Sequence, residues 1–203
     1  MYIANFPNSG YIGHEFTKEE LEPISNEVDD ILKNFNSSDR VDHSFTSTVK
    51  KEYSIVRSLK HLENLILPLA DTYYDYFSLS NDNNKKLFLN SAWVNFQEKF
   101  EFFAPHTHKG EFSFALYLKV PFDIDDELKY LSSEKKPANT ATGFTFFYTD
   151  IFGEIRPSYL PVDRSWENKI IFFPGKMLHS VQPFFTSDEY RITVSGNVRF
   201  KND

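Results

Sequence analysis

The chain changes its hydrophobic period once, near Leu87. Before that point apolar residues recur every three or four positions, and after it they alternate every second position. Leu21, Ile24, Val28, Ile31, Leu32 and Phe35 predict an amphipathic helix running to about Phe35. It opens with Thr17-Lys18-Glu19-Glu20, which has the Thr-x-x-Glu form of a capping box. Pro23 lies inside the pattern and either kinks the first turn or marks the true start. Leu59, Leu62, Leu65, Ile66, Leu69, Tyr73, Tyr76 and Phe77 predict a second helix over about 58–77, with Pro68 as an interior irregularity. Met1–Phe16 reads as an edge strand and turn, 36–48 as a polar loop, and 80–86 as a turn-rich break.

Strands are predicted at 87–91, 92–101, 111–120, 142–150, 155–160, 168–173, 177–183 and 189–200, punctuated by Pro121, Gly143, Gly153, Pro161, Pro174-Gly175 and Pro183. Asp123–Thr142 is a longer polar insertion, a lid or a disordered excursion. Two helices followed by about eight strands predict an α+β, mainly β domain, with helices packed on one sheet of a sandwich or barrel. A length of 203 residues suits one domain over 1–203: helical support over 1–86, a β core over 87–200, and the insertion at 123–142.

Composition narrows the function. The 22 Phe and 11 Tyr suit a β-rich core. A net charge of −7 argues against nucleic-acid or anionic-membrane partners, and no apolar run approaches the ~18 residues of a membrane span. With no basic-then-apolar start, a cytoplasmic location is the simplest expectation. The absence of cysteine rules out disulfides, thiolate metal sites and cysteine nucleophiles.

The candidate chemistry lies in three places. Ala104-Pro105-His106-Thr107-His108-Lys109-Gly110-Glu111 puts two imidazoles at i and i+2, which share a direction in extended chain and can converge on one metal ion. Two polar loop residues would make the same pattern. In the strand that follows, Phe112, Phe114, Leu116, Leu118 and Val120 fall on one face, with Ser113, Ala115, Tyr117 and Lys119 on the other. The second place is His179, after an apolar strand and a Pro174-Gly175 turn. The third is the last strand, where Arg191, Thr193, Ser195 and Asn197 share a polar face opposite Ile192, Val194, Val198 and Phe200. An inward arginine with no acid on its own face calls for an anionic ligand, such as a carboxylate held bidentately with help from Thr193.

The order His-x-His…His-x₁₂-Arg-x-Thr resembles the 2-oxoglutarate/Fe(II)-dependent dioxygenase superfamily, whose pattern is His-x-Asp/Glu…His…Arg-x-Ser. Trp93-Val94-Asn95-Phe96-Gln97, Pro105-His106-Thr107-His108, the strand from Ser113 to Pro121, and Phe173-Pro174 are similar to its prolyl-4-hydroxylase-like branch, common in bacteria and tailed phages. The resemblance covers about 87–200. It implies a double-stranded β-helix (jelly-roll) barrel and Fe(II) and 2-oxoglutarate as cofactors. The implied reaction hydroxylates a C–H bond with O₂, releasing succinate and CO₂ from 2-oxoglutarate, on a prolyl, peptidyl or amino-acid-like substrate. It makes His179 and His106 or His108 metal ligands, and Arg191, Tyr117 and Thr193 the 2-oxoglutarate-binding residues. Trp93, Asn95, Gln97 and Ser113 would line the substrate or cosubstrate side. For a phage-encoded chain the location would be the host cytoplasm. The family's carboxylate ligand has no counterpart, because His108 follows His106 at that position and Gly110 follows His108. Three imidazoles, two imidazoles with a solvent ligand, or Glu111 could complete the set. Two other classes fit the same pattern, a non-catalytic jelly-roll or virion-associated module and a cupin-like three-histidine metalloenzyme.

Overall fold

Both expected helices form where capping and burial dictate. The structure, a computed structural model, describes residues 10–35, 39–41, 46–77, 86–138 and 141–201. His43, most of the loop expected at 36–48 and most of the break at 80–86 lie outside them. Helix α1 (Lys18–Lys33) starts on a complete capping box, with Glu20 N–H donating to the Thr17 hydroxyl at 3.2 Å and Thr17 N–H to the Glu20 carboxylate at 2.8 Å. Pro23 sits inside the helix, not at its start.

Helix α2 (Leu59–Tyr76) has no side-chain cap of its own. The segment that leads into it, Val56 to the N-cap Ser58, is instead held by a residue of α1. The buried Glu27 carboxylate accepts from the N–H groups of Val56, Arg57 and Ser58 and from the Ser58 hydroxyl at 2.6–3.0 Å. A carboxylate at a helix N-terminus answers both the unpaired donors and the helix dipole.

Ten strands are found among the described residues. In chain order they are β1 (Ile12–Glu15), β2 (Glu52–Ser54), β3 (Leu87–Gln97), β4 (Phe103–His106), β5 (Phe112–Lys119), β6 (Phe144–Thr149), β7 (Ile155–Leu160), β8 (Lys169–Pro174), β9 (Leu178–Val181) and β10 (Arg191–Phe200). They form two antiparallel sheets, β1-β8-β5-β10-β3-β2 and β4-β9-β6-β7. The segments expected as separate strands at 87–91 and 92–101 form one strand, β3, which pairs with β10 through a single bulge at Asn90 and ends at Gln97. β2 and β4 are short strands that periodicity does not announce.

The period-two pattern sorts side chains between two cores. Phe112, Phe114 and Leu116 of β5, with Val94, Phe96, Ile192, Val194 and Val198, pack beneath α1 and α2. Ala115 and Tyr117 point the other way, between the sheets, with Phe144, Phe146, Ile171, Phe173 and Phe184.

Asp123–Thr142, expected to be a lid or a disordered excursion, contains helix α3 (Ile124–Ser133), pinned by a buried acid. The fully buried Glu127 accepts from the N–H groups of Phe185 and Thr186 at 2.8–3.1 Å and from the Thr186 hydroxyl. Those partners lie 58 and 59 positions further along the chain, so no local pattern reveals them.

Burial tends to raise the Glu27 carboxyl pKa, but the Ser58 hydroxyl and the three backbone donors outweigh it and hold the group below its ordinary 4.5. A folded-state pKa below the unfolded one gives stability that is present above about 4.5 and lost as pH falls through the folded value. Glu27→Gln should therefore cost roughly 1–3 kcal/mol at neutral pH, as expected when charge-assisted bonds are weakened. The gap to the wild type should close under acid; urea denaturation at several pH values measures it, and a gap independent of pH would contradict this account.

Candidate active site

Three imidazoles meet between the sheets because two turns are stitched together. His106 ends β4 and lies directly opposite His179 of β9 in the sheet register. His108 lies beyond the strand, in the turn that abuts Pro174-Gly175: His108 N–H donates to the Gly175 carbonyl at 2.7 Å and Gly175 N–H to the Glu111 carbonyl at 2.8 Å. A Cβ on Gly175 would stand 2.4 Å from the Gly110 carbonyl oxygen, so only glycine permits the approach. The ring centroids lie 4.3 Å apart for His106 and His179, 5.0 Å for His106 and His108, and 5.1 Å for His108 and His179. Their ligand nitrogens all fall within 4.8 Å of one another.

Tautomers follow from main-chain acceptors. Nδ1 of His106 lies 2.7 Å from the Ala104 carbonyl, and Nδ1 of His179 lies 2.9 Å from the Met177 carbonyl. A carbonyl can only accept, so each Nδ1 carries the proton and the lone pair is on Nε2, the arrangement a metal requires. His179 is only 2% exposed and packs against Phe144 and Phe173, with ring centroids at 5.1 and 4.8 Å. Burial first, then neighbouring His106, lowers its pKa to about 3.

Beyond the imidazoles, a narrow cleft reaches Arg191. Trp93, Asn95 and Gln97 of β3 line it, as do Tyr117 of β5 and Thr193 of β10. Ser113 does not; its hydroxyl donates to the Gly196 carbonyl at 3.0 Å, inside the sheet. Arg191 is 1% exposed. Its Nε and Nη2 donate to Gln97 Oε1 at 3.1 and 2.5 Å, Nη1 to the Thr142 carbonyl at 2.9 Å, and Nη2 to the Gln182 carbonyl at 3.0 Å. Four bonds to protein acceptors leave one of the five guanidinium N–H groups for a ligand, so the two-pronged grip expected from the sequence is not what this geometry offers. Burial lowers the Arg191 pKa to about 10, which still keeps it charged at neutral pH.

Other features bear on ligand fit. Burial pushes the Tyr117 hydroxyl up to about 12, so it is a neutral donor. Asn95 Nδ2 donates to the Thr193 and Ser195 hydroxyls, both at 3.2 Å, while its Oδ1 is buried without a partner. Thr142, whose carbonyl faces Arg191, is held at φ 61°, a left-handed conformation costly for a β-branched residue. Neither Thr142 nor the stitch at Gly175 was singled out from the sequence, although the glycine was the available signal.

Nitrogen donors suit a divalent first-row metal such as Fe(II), and a buried cation with only neutral acceptors suits an anionic cosubstrate. Residues 91–197 match the family model described as "Putative 2OG-Fe(II) oxygenase", and the chain belongs to this family of Fe(II)- and 2-oxoglutarate-dependent oxygenases. A search of curated proteins finds no match. Among solved structures, a Pseudomonas putida prolyl-4-hydroxylase aligns at TM-score 0.57 and 11% identity, over 96% of this chain and 94% of that one. HygX from Streptomyces hygroscopicus, with nickel, 2-oxoglutarate and hygromycin B bound, aligns at TM-score 0.58 and 11% identity over 94% and 83%. A 2OG-Fe(II) oxygenase family oxidoreductase from Burkholderia pseudomallei aligns at 0.57 and 14% over 94% and 84%. These neighbours share the double-stranded β-helix fold expected from the sequence.

In metal-free protein His179 stays neutral down to about 3, while in the unfolded chain it takes up a proton below about 6.5. The unfolded state binds more protons between those values, so stability falls with falling pH across the window, by up to ~1.4 kcal/mol per pH unit from this group. His179→Leu keeps the packing and removes the titration. Chelator-treated His179→Leu should lose less stability than the wild type between roughly pH 7 and pH 5. Parallel urea-denaturation profiles would refute the buried, neutral assignment.

Proposed function

We propose that His106, His108 and His179 together hold Fe(II), and that Arg191, with the Tyr117 and Thr193 hydroxyls, receives the distal carboxylate of 2-oxoglutarate. The observation behind this reading is the pairing of a three-imidazole cluster with a buried, un-neutralised guanidinium along one cleft. Glu111 is the weaker candidate for a third ligand, since it is exposed and stands near Tyr74 of α2, whose hydroxyl pKa is raised by burial first and by the Glu111 charge second. Bound iron and 2-oxoglutarate supply the oxidising chemistry: O₂ is consumed, 2-oxoglutarate gives succinate and CO₂, and one oxygen atom enters a C–H bond.

The chain's own residues hold, orient and exclude. The Ala104 and Met177 carbonyls fix two ring orientations through Nδ1, and Phe144, Phe146 and Phe173 wall the buried imidazole from water. The Arg191 charge orients the cosubstrate lengthwise, so that its 2-oxo acid end faces the histidines. Peptidyl or amino-acid-like substrates are the proposed class, supported by the prolyl hydroxylases among the structural neighbours.

Anaerobic titration with Fe(II) and 2-oxoglutarate, followed by the visible charge-transfer band of the chelate, tests the whole assignment. Arg191→Ala should weaken 2-oxoglutarate binding by roughly 2–4 kcal/mol, the loss expected when one partner of a buried charge pair is removed. Iron affinity should hardly change, and Arg191→Lys should rescue only in part, because an ammonium lacks the planar donor set. Equal 2-oxoglutarate affinity in Arg191→Ala would reject the anchor.

For the ligand set, His106→Ala and His108→Ala should each weaken Fe(II) binding at least about tenfold. His108→Asp should retain it, since a carboxylate there restores a common ligand combination. If His106→Ala binds iron normally while His108→Asp loses it, only two histidines ligate.

A further inference from the structure

Gln97 lies directly opposite Arg191 in the β3–β10 register. Its Oε1 accepts from both Nε and Nη2 of the guanidinium. The amide cannot turn over, because Nε2 donates to the Glu101 carbonyl at 2.5 Å and so fixes which end is oxygen. Everything else touching the guanidinium is also uncharged: two backbone carbonyls, and the rings of Phe122 and Phe184 at 5.9 and 5.7 Å. Neither of the two buried acids nearby touches the guanidinium, although the charge of Glu127 acts on it from a distance. Glu101 accepts from Glu98 N–H and lies 3.9 Å from Lys50 Nζ, while Glu127 is taken up by Phe185 and Thr186.

A buried guanidinium most readily recruits a carboxylate, and a glutamate could occupy the position of Gln97 with almost no change of shape. It would then satisfy the same two N–H groups and cancel the charge. Glutamine holds the cation just as firmly and leaves its charge unspent. With one N–H remaining, Arg191 selects a ligand by charge more than by a two-pronged fit.

We propose that Gln97 is the positioning residue that fixes Arg191 without neutralising it, and that it thereby sets the preference for a 2-oxo dicarboxylate over a 2-oxo monocarboxylate. This rests on the reading in which Arg191 receives the distal carboxylate. Both classes of acid can chelate the metal through the 2-oxo acid end, and only the dicarboxylate reaches Arg191.

The experiment compares 2-oxoglutarate with 2-oxopentanoate, which has the same chain length and no distal carboxylate. Both are titrated anaerobically against the Fe(II)-loaded protein. The wild type should prefer 2-oxoglutarate by roughly 30-fold or more, the range for a buried charge contact. Gln97→Glu should abolish that preference by weakening 2-oxoglutarate alone, with Fe(II) and 2-oxopentanoate affinities unchanged. Gln97→Met, which removes the bracket and adds no charge, should lower the preference by about fivefold to tenfold, the net worth of an ordinary hydrogen bond. An undiminished preference in either folded variant would overturn the role of Gln97 and leave the Arg191 assignment standing. Equal loss in both would overturn the neutrality argument. A wild type with no preference would reject the Arg191 assignment, and the proposal with it. Should Gln97→Glu not fold, Gln97→Met decides alone, by whether the preference falls while 2-oxopentanoate binding holds.

Discussion

Strand β10 has two faces that cannot be exchanged. Ile192, Val194 and Val198 close the core beneath the helices, while Arg191, Thr193 and Ser195 face the cleft between the sheets. The strand is hydrogen-bonded along both edges, to β3 and to β5. A slip of one residue against either neighbour would bury a guanidinium among phenylalanines and turn valines toward the site. The apolar demand of the outer core therefore sets the position of the cleft-facing residues. The supporting helices, far from the chemistry, take part in placing Arg191 by requiring the opposite face of its strand.

Keeping a cation in that interior without an acid in contact demands compensation from several directions. Neutral acceptors come from β3, from the segment after α3 and from the β9–β10 connection, and two aromatic rings lie over the guanidinium. Glu127 ties α3 to Phe185 and Thr186, next to Phe184, so the insertion is built into the wall around Arg191. Thr142 adopts a left-handed conformation while presenting its carbonyl to Arg191. Backbone strain tolerated at a functional position is the usual sign that the surroundings over-determine it.

Much of this was readable from local pattern. Both helices, the face assignment of β5 and β10, and the convergence of His106 with His108 follow from periodicity, because each depends on residues a few positions apart. The order of histidines and arginine, seen as a resemblance, led to the family. Long-range pairings were not readable: the capping of α2 by Glu27, the pinning of α3, the bracket formed by Gln97 and the stitch at Gly175 all join residues whose nearness only the folded sheet creates. Alternation puts Gln97 on the same strand face as Trp93 and Asn95, but its fixed amide depends on the Glu101 carbonyl, which no side-chain pattern announces. The short strands β2 and β4 escaped because three or four residues carry too little alternation.

The imidazoles of His106 and His179 are each oriented by the carbonyl two residues earlier in their own segment, Ala104 and Met177. Orientation by a side-chain carboxylate can be lost through a single substitution, whereas a main-chain carbonyl survives any replacement of the residue that bears it. Ring orientation here is thus inherited with the strand itself. Side chains around the cleft can therefore be replaced without removing the acceptors that set how these two rings point.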